Sequence, residues 1–365
     1  MILRKTMQCI LSFLPLLGSV ANSQNALIYE NVIVGGGLSG LSTAYHLQKS
    51  GITNIMLYEG RDRLGGRTHT HHRKGGEGFF EEGGTFIEPD HHGMIQLAKE
   101  LGVSLKTIGW GSRKAHVAHQ NSLKTDAELG ELLQSVGRTL EEKSSEDAYF
   151  QSNDQWYLKK AALEATFESP AAKALIETYY TGETGNNFDR MSLSSVLWIK
   201  ETMKDFQELL EAKQKWYIPN FMIDREAYQY TVKEGMSSLI AKLETRLEND
   251  VTFILSHVLK KIDKTNDHYV LSFQKNDGGE HVVHAQHAVI TLPFSTLRHV
   301  EITPNVPLSA HQMDSILTLP YGNHAKIGVY TPQQETALED TMSYYFNLDH
   351  KITGWPGHQA LTLFM

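Results

Sequence analysis

NVIVGGGLSGLSTAYHLQKSG, residues 31–51, passes from an apolar run through a cluster of glycines into a helical pattern. Leu38, Leu41, Ala44, Tyr45 and Leu47 recur at helical spacing, and Gly51 closes the segment. The preceding LIYENVIV, residues 27–34, reads as a strand, and NIMLYE gives a second short strand ending at Glu59. Strand, turn, helix and strand predict a βαβ unit. Gly35, Gly37 and Gly40 fit GxGxxG, with Gly36 as an extra small residue. In that pattern the first glycine permits the tight turn and the second lets the backbone approach a pyrophosphate. The third lets helix pack closely on strand, and the helix N-terminus, with Leu38 and Ser39, faces the phosphates.

Glu59 lies nineteen residues past Gly40. A carboxylate there accepts hydrogen bonds from both hydroxyls of an adenosine ribose and repels a 2′-phosphate. Turn and acid together predict a dinucleotide site without separating FAD from NAD.

Farther along, the segment from about residue 95 to 216 reads as helical and polar, with SSVLWIKETMKDFQELLEAKQKW its longest helix candidate. EGMSSLIAKLETRLEND is another helix, with Met236, Leu239, Ile240, Leu243 and Leu247 on one face. VTFILSHVLKKI, HYVLSF and HVVHAQHAVITLPF read as strands, and Asn276–Gly279 as a hairpin turn. Strands, then helices, then strands again predict a nucleotide domain interrupted by an inserted one. Ser144–Asp147 reads as a solvated loop.

The 365 residues are 41% apolar, which suits a large core or two domains and excludes a disordered chain. At the N-terminus, Arg4 and Lys5, an apolar run over 10–17 and small residues 19–21 have the order of an export signal. A buried first strand or helix is the other reading, and the run is too short to span a bilayer. Cleavage after residue 21 removes Cys9, the single cysteine, and with it disulfides, thiol nucleophiles and a cysteinyl cofactor link. The net charge of −8 disfavours nucleic acid as a partner. His69, His71, His72, His91 and His92 raise a metal reading, but in loops without a matched carboxylate they are expected to be solvated. No Ser/His/Asp arrangement stands out.

EGRDRLGGRT, residues 59–68, resembles the motif that follows the second strand in the flavin amine oxidases, the family of monoamine, polyamine and L-amino-acid oxidases. FFEEGGTFIEP is similar to the family's second glycine pair, EGMSSLIAKL to its return segment, and HAVITLPFSTLRHVEITPNVP to the strand and proline crossing that follow. LPYGNHAKIGVY, residues 319–330, resembles the strand whose lysine holds a water against the flavin. The resemblance implies an α/β fold. Its expected parts are a Rossmann-like FAD-binding domain of the glutathione-reductase type, residues 28–85 plus 230–300, and an interleaved α+β substrate-binding domain, residues 86–229 plus 301–365.

The same resemblance implies non-covalent FAD. Gly65 and Gly66 pass close to the pyrophosphate, Arg61 and Arg67 reach cofactor oxygens, and Gly83, Gly84, Thr85 and Phe86 lie beside the flavin ring. Val258 is matched to a backbone contact to adenine, and Lys326 to the catalytic lysine. The implied reaction takes an amine to an imine, then to an aldehyde or ketone, with O2 reduced to H2O2. Glu88, matched to a glutamate of plant polyamine oxidases, is expected to attract a cationic amine, and GGTFIEP lacks the arginine expected of L-amino-acid oxidases and tryptophan monooxygenases. Those enzymes and a non-catalytic FAD-binding remnant are the alternatives; an NAD-only dehydrogenase leaves residues 60–68 without a role.

The family pattern also includes a later glycine-containing segment and an aromatic pair that have no match between Lys326 and Met365. A chain lacking them is expected to hold FAD weakly and to be unstable or inactive.

Overall fold

Ile28–Val34 forms strand β1, whose residues Val32, Ile33 and Val34 are buried because both faces of the sheet around them are covered. In the computed structural model the described residues are 27–75, 78–109, 115–125, 127–128, 131–132, 135, 169–185, 228–330, 344–356 and 360–364. The expected export signal with Cys9, the 194–216 helix candidate and Ser144–Asp147 lie outside the described residues.

Helix α1 (Leu38–Lys49) follows the glycine turn and leads to β2 (Ile55–Tyr58), parallel to β1 in the register Asn31 to Ile55. Strand β3 (Thr70–His72) and β4 (Phe79–Glu81) form a small antiparallel hairpin. Helix α2 (His92–Glu100) is followed by β5 (Leu105–Gly109), β6 (Ala115–His119) and β7 (Ser122–Leu123), and then by helix α3 (Pro170–Thr184). After β8 (Tyr228–Val232) comes helix α4 (Met236–Leu247), with the five predicted apolar residues as its buried stripe. Strands β9 (Val251–Ile254), β10 (His257–Lys264), β11 (Tyr269–Lys275), β12 (Glu280–Ile290) and β13 (Glu301–Ile302) complete the first sheet. Its order is β13, β10, β11, β12, β1, β2, β9.

Strand β12 joins the two parts of this sheet. One stretch of it pairs antiparallel with β11, and the stretch from His284 to Ile290 pairs parallel with β1. The predicted turn at 276–279 closes the β11–β12 hairpin, with Lys275 N–H donating to the Gly279 carbonyl. Two apolar layers cover the sheet. Ile33, Leu41, Ile55, Leu57, Leu239 and Leu243 share one layer with α1 and α4. Val32, Val34, Tyr58, Leu271, Phe273 and Leu297 share the other, where Tyr58 stacks on Phe273 at 4.4 Å between centroids.

A second sheet carries the candidate lysine. It contains β14 (Lys326–Tyr330), β15 (Tyr344–Asn347), β16 (Ile352–Pro356) and β17 (Ala360–Phe364) in the order β14, β17, β16, β15, β6, β7. Helices α5 (Phe294–Leu297) and α6 (Ala310–Thr318) flank β13 in sequence, and no described helix is long and apolar enough to cross a membrane.

The structure corrects three local expectations. VTFILSHVLKKI is two strands that occupy different places in the sheet, because the chain breaks at Ser256 (φ 60°). The Ser256 and His257 amides bond back to the Arg61 and Glu59 carbonyls at 2.8 and 2.9 Å. The 95–216 segment is not uniformly helical, since β5, β6 and β7 interrupt it. The first two of these pair with β8 and β15, far away in sequence, so local periodicity does not report them. Finally, β12 stops at Ile290 and Pro293 caps α5, where the sequence pattern predicts a continuing strand.

Candidate active site

The glycine turn sits where β1 gives way to α1. Gly35, at φ 113°, donates its amide to the Tyr58 carbonyl at 2.8 Å, which ties the turn to the end of β2. Gly36 N–H donates to Glu59 Oε2 at 2.6 Å, and Arg61 N–H to Glu59 Oε1 at 2.9 Å. Both oxygens of this carboxylate therefore order the loop on which it stands, and each retains lone-pair capacity for a further donor.

The glycines divide by what surrounds them. A Cβ on Gly35 would lie 2.5 Å from Thr291 Oγ1, one on Gly36 would lie 2.6 Å from Leu64 Cδ2, and one on Gly40 would overlap the Gly35 carbonyl. A Cβ on Gly37 would meet nothing closer than 3.9 Å, at Gly66 Cα, so the turn opens there beside Gly65 and Gly66. The first internal bond of α1 runs from Leu41 N–H to the Gly37 carbonyl at 3.0 Å. Leu38 and Ser39 precede it in the first turn, where amides have no intrahelical acceptor and can donate to an outside one. An open cradle with free helix-terminal donors and an adjacent carboxylate fits the adenosine diphosphate portion of a dinucleotide.

A continuous track of backbone contacts leads from this cradle to the lysine. Gly65 N–H donates to the Gly36 carbonyl at 2.8 Å, and Gly84 N–H to the Arg67 carbonyl at 3.0 Å. The Lys326 amine donates to the Gly83 carbonyl, to Thr85 Oγ1 at 2.8 Å and to the Glu81 carbonyl at 3.5 Å. Gly328 allows this placement: a Cβ there would lie 2.6 Å from the Phe80 ring. Burial pulls the Lys326 amine down to about 8, opposed by the nearby Glu81 carboxylate. Gly84 is exposed, and a Cβ on it would meet nothing within 4 Å.

Val258 is exposed and packs by Gly60, whose added Cβ would lie 3.4 Å from Val258 Cγ2, so the expected adenine contact stands beside Glu59. Arg61 turns its guanidinium onto its own loop, donating to the Gly66 carbonyl at 2.9 Å, and Arg63 donates to the same oxygen at 3.2 Å. Arg67 is exposed, and Phe86 is half-buried. Glu88 accepts a hydrogen bond from Gln229 Nε2 on β8, and burial raises its carboxyl, opposed by Gln229. The acceptor Gln229 Oε1 is buried without a partner.

The histidine expectation needs correction. His71 and His72 lie on β3, His92 opens α2 and His91 caps it, so these are not loop residues. His69 Nδ1 and His71 Nδ1 face Glu82 at 2.7 and 3.5 Å, a matched carboxylate that the β3–β4 pairing creates. Among the described residues no group of three or more potential ligands could hold a metal ion.

Two residues near the site are invisible to motif reading. Thr291 Oγ1 donates to the Val34 and Gly35 carbonyls, each at 3.0 Å, and so braces the turn from the residue after β12. Glu81, inside the quoted FFEEGG but with no role predicted for it, places a buried carboxylate on the first amide of α4.

A family model described as flavin containing amine oxidoreductase matches residues 38–359. The chain is 27% identical over 293 residues to a pseudooxynicotine dehydrogenase of a Pseudomonas species, covering 78% of this chain and 55% of that protein. To the amine oxidase A of Equus caballus it is 22% identical over 332 residues, covering 83% and 56%. Among solved structures, a putrescine oxidase with bound putrescine aligns with a TM-score of 0.65 at 19% identity, over 93% of this chain and 76% of that one. The cyclohexylamine oxidase of Brevibacterium oxydans aligns with a TM-score of 0.63 at 18% identity, over 93% and 75%. At those identities the structural likeness speaks for the fold. The chain spans 55% to 64% of the length of three curated relatives that it matches.

Proposed function

The chain belongs to the flavin-containing amine oxidoreductase family, and from that membership we propose that it oxidises a small amine to an imine, with O2 reduced to H2O2. The observation that carries the reading is the track from Gly36 and Glu59 through Gly65 and Gly84 to Lys326, which lines up a dinucleotide cradle with a buried amine. FAD is the cofactor that fits this track. It supplies hydride acceptance and the onward passage of electrons to O2.

The chain's own residues bind and orient. Gly37, Leu38 and Ser39 would receive the pyrophosphate, Glu59 would accept from the ribose hydroxyls, and Val258 would flank the adenine. Arg61 and Arg67, on either side of Gly65 and Gly66, would complete the loop around the phosphates. Gly83, Gly84 and Thr85 would hold the flavin end of the cofactor. Lys326, held beside Gly83 and Thr85, orders a water and holds or releases a proton within the neutral range. A buried cation also stabilises negative charge developing beside it.

Residues 28–85 plus 230–300 make up the FAD-binding domain of this reading, with the parallel β1, β2 and β9 as its Rossmann-like centre. Residues 86–229 plus 301–365 belong to the substrate side. Residues 1–21 are an export signal in the same reading, which places the protein outside the cytoplasm. Glu88, an acceptor beside Gln229, selects cationic amines over α-amino acids. Putrescine, bound in one structural neighbour, has that chemistry.

Amine-dependent H2O2 release by FAD-loaded protein tests the proposal. Release with di- or monoamines that disappears in Lys326→Met supports it. Release with L-amino acids alone moves the protein to the amino-acid oxidases; release with any amine overturns the inactivity expected of a chain without the later glycine segment, and no release with either class rejects catalysis by this chain and bears that expectation out. In Glu88→Gln, an unchanged Michaelis constant for diamines removes the role given to Glu88.

A further inference from the structure

Glu81 is 7% exposed and stands at the end of β4, between α4 and the lysine. Its Oε1 accepts the Met236 N–H at 2.7 Å and its Oε2 accepts the Thr70 hydroxyl at 2.9 Å. Thr70 and Ser237 are laced together in turn. The Ser237 amide donates to Thr70 Oγ1 at 2.9 Å, and the Thr70 amide to Ser237 Oγ at 2.8 Å. Gly235, at φ 88°, allows the close approach of the helix start, since a Cβ there would lie 2.6 Å from Thr70. The main-chain carbonyl of the same glutamate accepts from the Lys326 amine at 3.5 Å.

We propose that Glu81 is a positioning residue for Lys326: its carboxylate, fixed by the first amide of α4 and by Thr70, holds the lysine amine on the β4 edge as a cation. The helix N-terminus favours an anion at this point. With that anion removed, the α4 amide would present positive charge toward the pocket of a buried ammonium, and the ammonium would lose its proton more readily. The coupling runs in both directions. Burial raises the Glu81 carboxyl, while the Met236 amide, the Thr70 hydroxyl and Lys326 pull it back. Glu81 is likewise the charged group that raises Lys326 against its burial. Of the remaining titratable groups of the hairpin, His69 and His71 face Glu82 at 2.7 and 3.5 Å, and His72 is exposed at the end of β3. His69 also lowers Glu81 weakly, as the last of its influences. A glutamate that only seated the helix would affect stability and leave the lysine alone.

The test is the titration of Lys326 in the full chain labelled with [ε-13C]lysine, with and without added FAD, its resonance assigned by its loss in Lys326→Met. In Glu81→Gln the Lys326 midpoint is expected to fall by roughly one pH unit, a tenfold change in proton affinity. Reciprocally, Lys326→Met, in a chain labelled at glutamate, is expected to raise the Glu81 midpoint by a similar amount. An unchanged Lys326 midpoint in a folded Glu81→Gln protein overturns the proposal. If Glu81→Gln does not fold, an unchanged Glu81 midpoint in Lys326→Met overturns it equally. The functional part rests on Lys326 belonging to the reaction site, and there the acid limb of the kcat profile shifts with the NMR midpoint. If the parent protein oxidises no amine, that assignment fails while the titrations still decide the coupling.

Discussion

The Lys326 amine donates to Thr85 Oγ1 at 2.8 Å across a sequence separation of 241 residues. This bond, together with the Gly83 carbonyl, fixes a flexible cation on the edge beside the open face of Gly84. Thr85→Val keeps the shape and removes the hydroxyl. A hydrogen bond to a charged group contributes about 1.5–3 kcal/mol, so amine-dependent flavin reduction is expected to slow by about tenfold or more in stopped flow. An unchanged rate would show that Thr85 does not orient the lysine.

Two neighbouring glycines are expected to behave differently. A Cβ on Gly83 would overlap the Arg67 carbonyl, whereas one on Gly84 has nothing within 4 Å. Gly83→Ala should destabilise the fold by about 1–3 kcal/mol or more, read as a lower melting temperature without cofactor. Gly84→Ala should leave that temperature within about 1 °C, since its Cβ enters open space. It should nevertheless weaken FAD binding in a fluorescence titration, because that space is where the ring must approach. Equal FAD affinity in Gly84→Ala would remove it from the cofactor edge.

Glu59 acts on the loop before any ligand arrives. Replacing it with Ala leaves the Gly36 and Arg61 amides without their acceptors, and FAD affinity is expected to drop by at least about tenfold, one lost hydrogen bond's worth. Glu59→Gln keeps an acceptor and should lose less. If both variants bind FAD like the parent, the carboxylate has no place in the ribose site.

Lys326 also leaves a signature in stability. Burial brings its folded-state value to about 8 from an ordinary 10.5, so between those pH values the unfolded chain holds more of the proton. Stability contributed by this group therefore rises with pH from about 8 to about 10.5. Lys326→Met lacks that rise. Its melting temperature at pH 7 should exceed the parent's by about 2 °C or more, and the difference should shrink above the window. A constant difference across pH would mean that the amine is not desolvated.

The glycine turn and Glu59 were legible because their geometry is local: strand, turn, helix and acid follow one another within residues 28–59. Lys326 was legible through the resemblance of its strand, and the strand begins at that residue. Glu81 was not, since its partners Met236 and Lys326 lie 155 and 245 residues away. No spacing rule spans such distances. The same reason hides β5 and β6, which are short and are strands by virtue of pairing with β8 and β15. Arg61 shows a third kind of obscurity: motif position marks it as a cofactor contact, while the fold also turns it, together with Arg63, onto the Gly66 carbonyl. For His69 and His71, only the hairpin register reveals Glu82 as their partner.

The central claim is that one track from Glu59 to Lys326 holds a flavin that accepts hydride from an amine. Anaerobic addition of a diamine or monoamine to the FAD-loaded chain, followed by visible absorbance, tests it most directly. The account predicts bleaching of the flavin bands on amine addition and their return on admission of oxygen. Stoichiometrically bound FAD whose bands persist with every amine offered would contradict it.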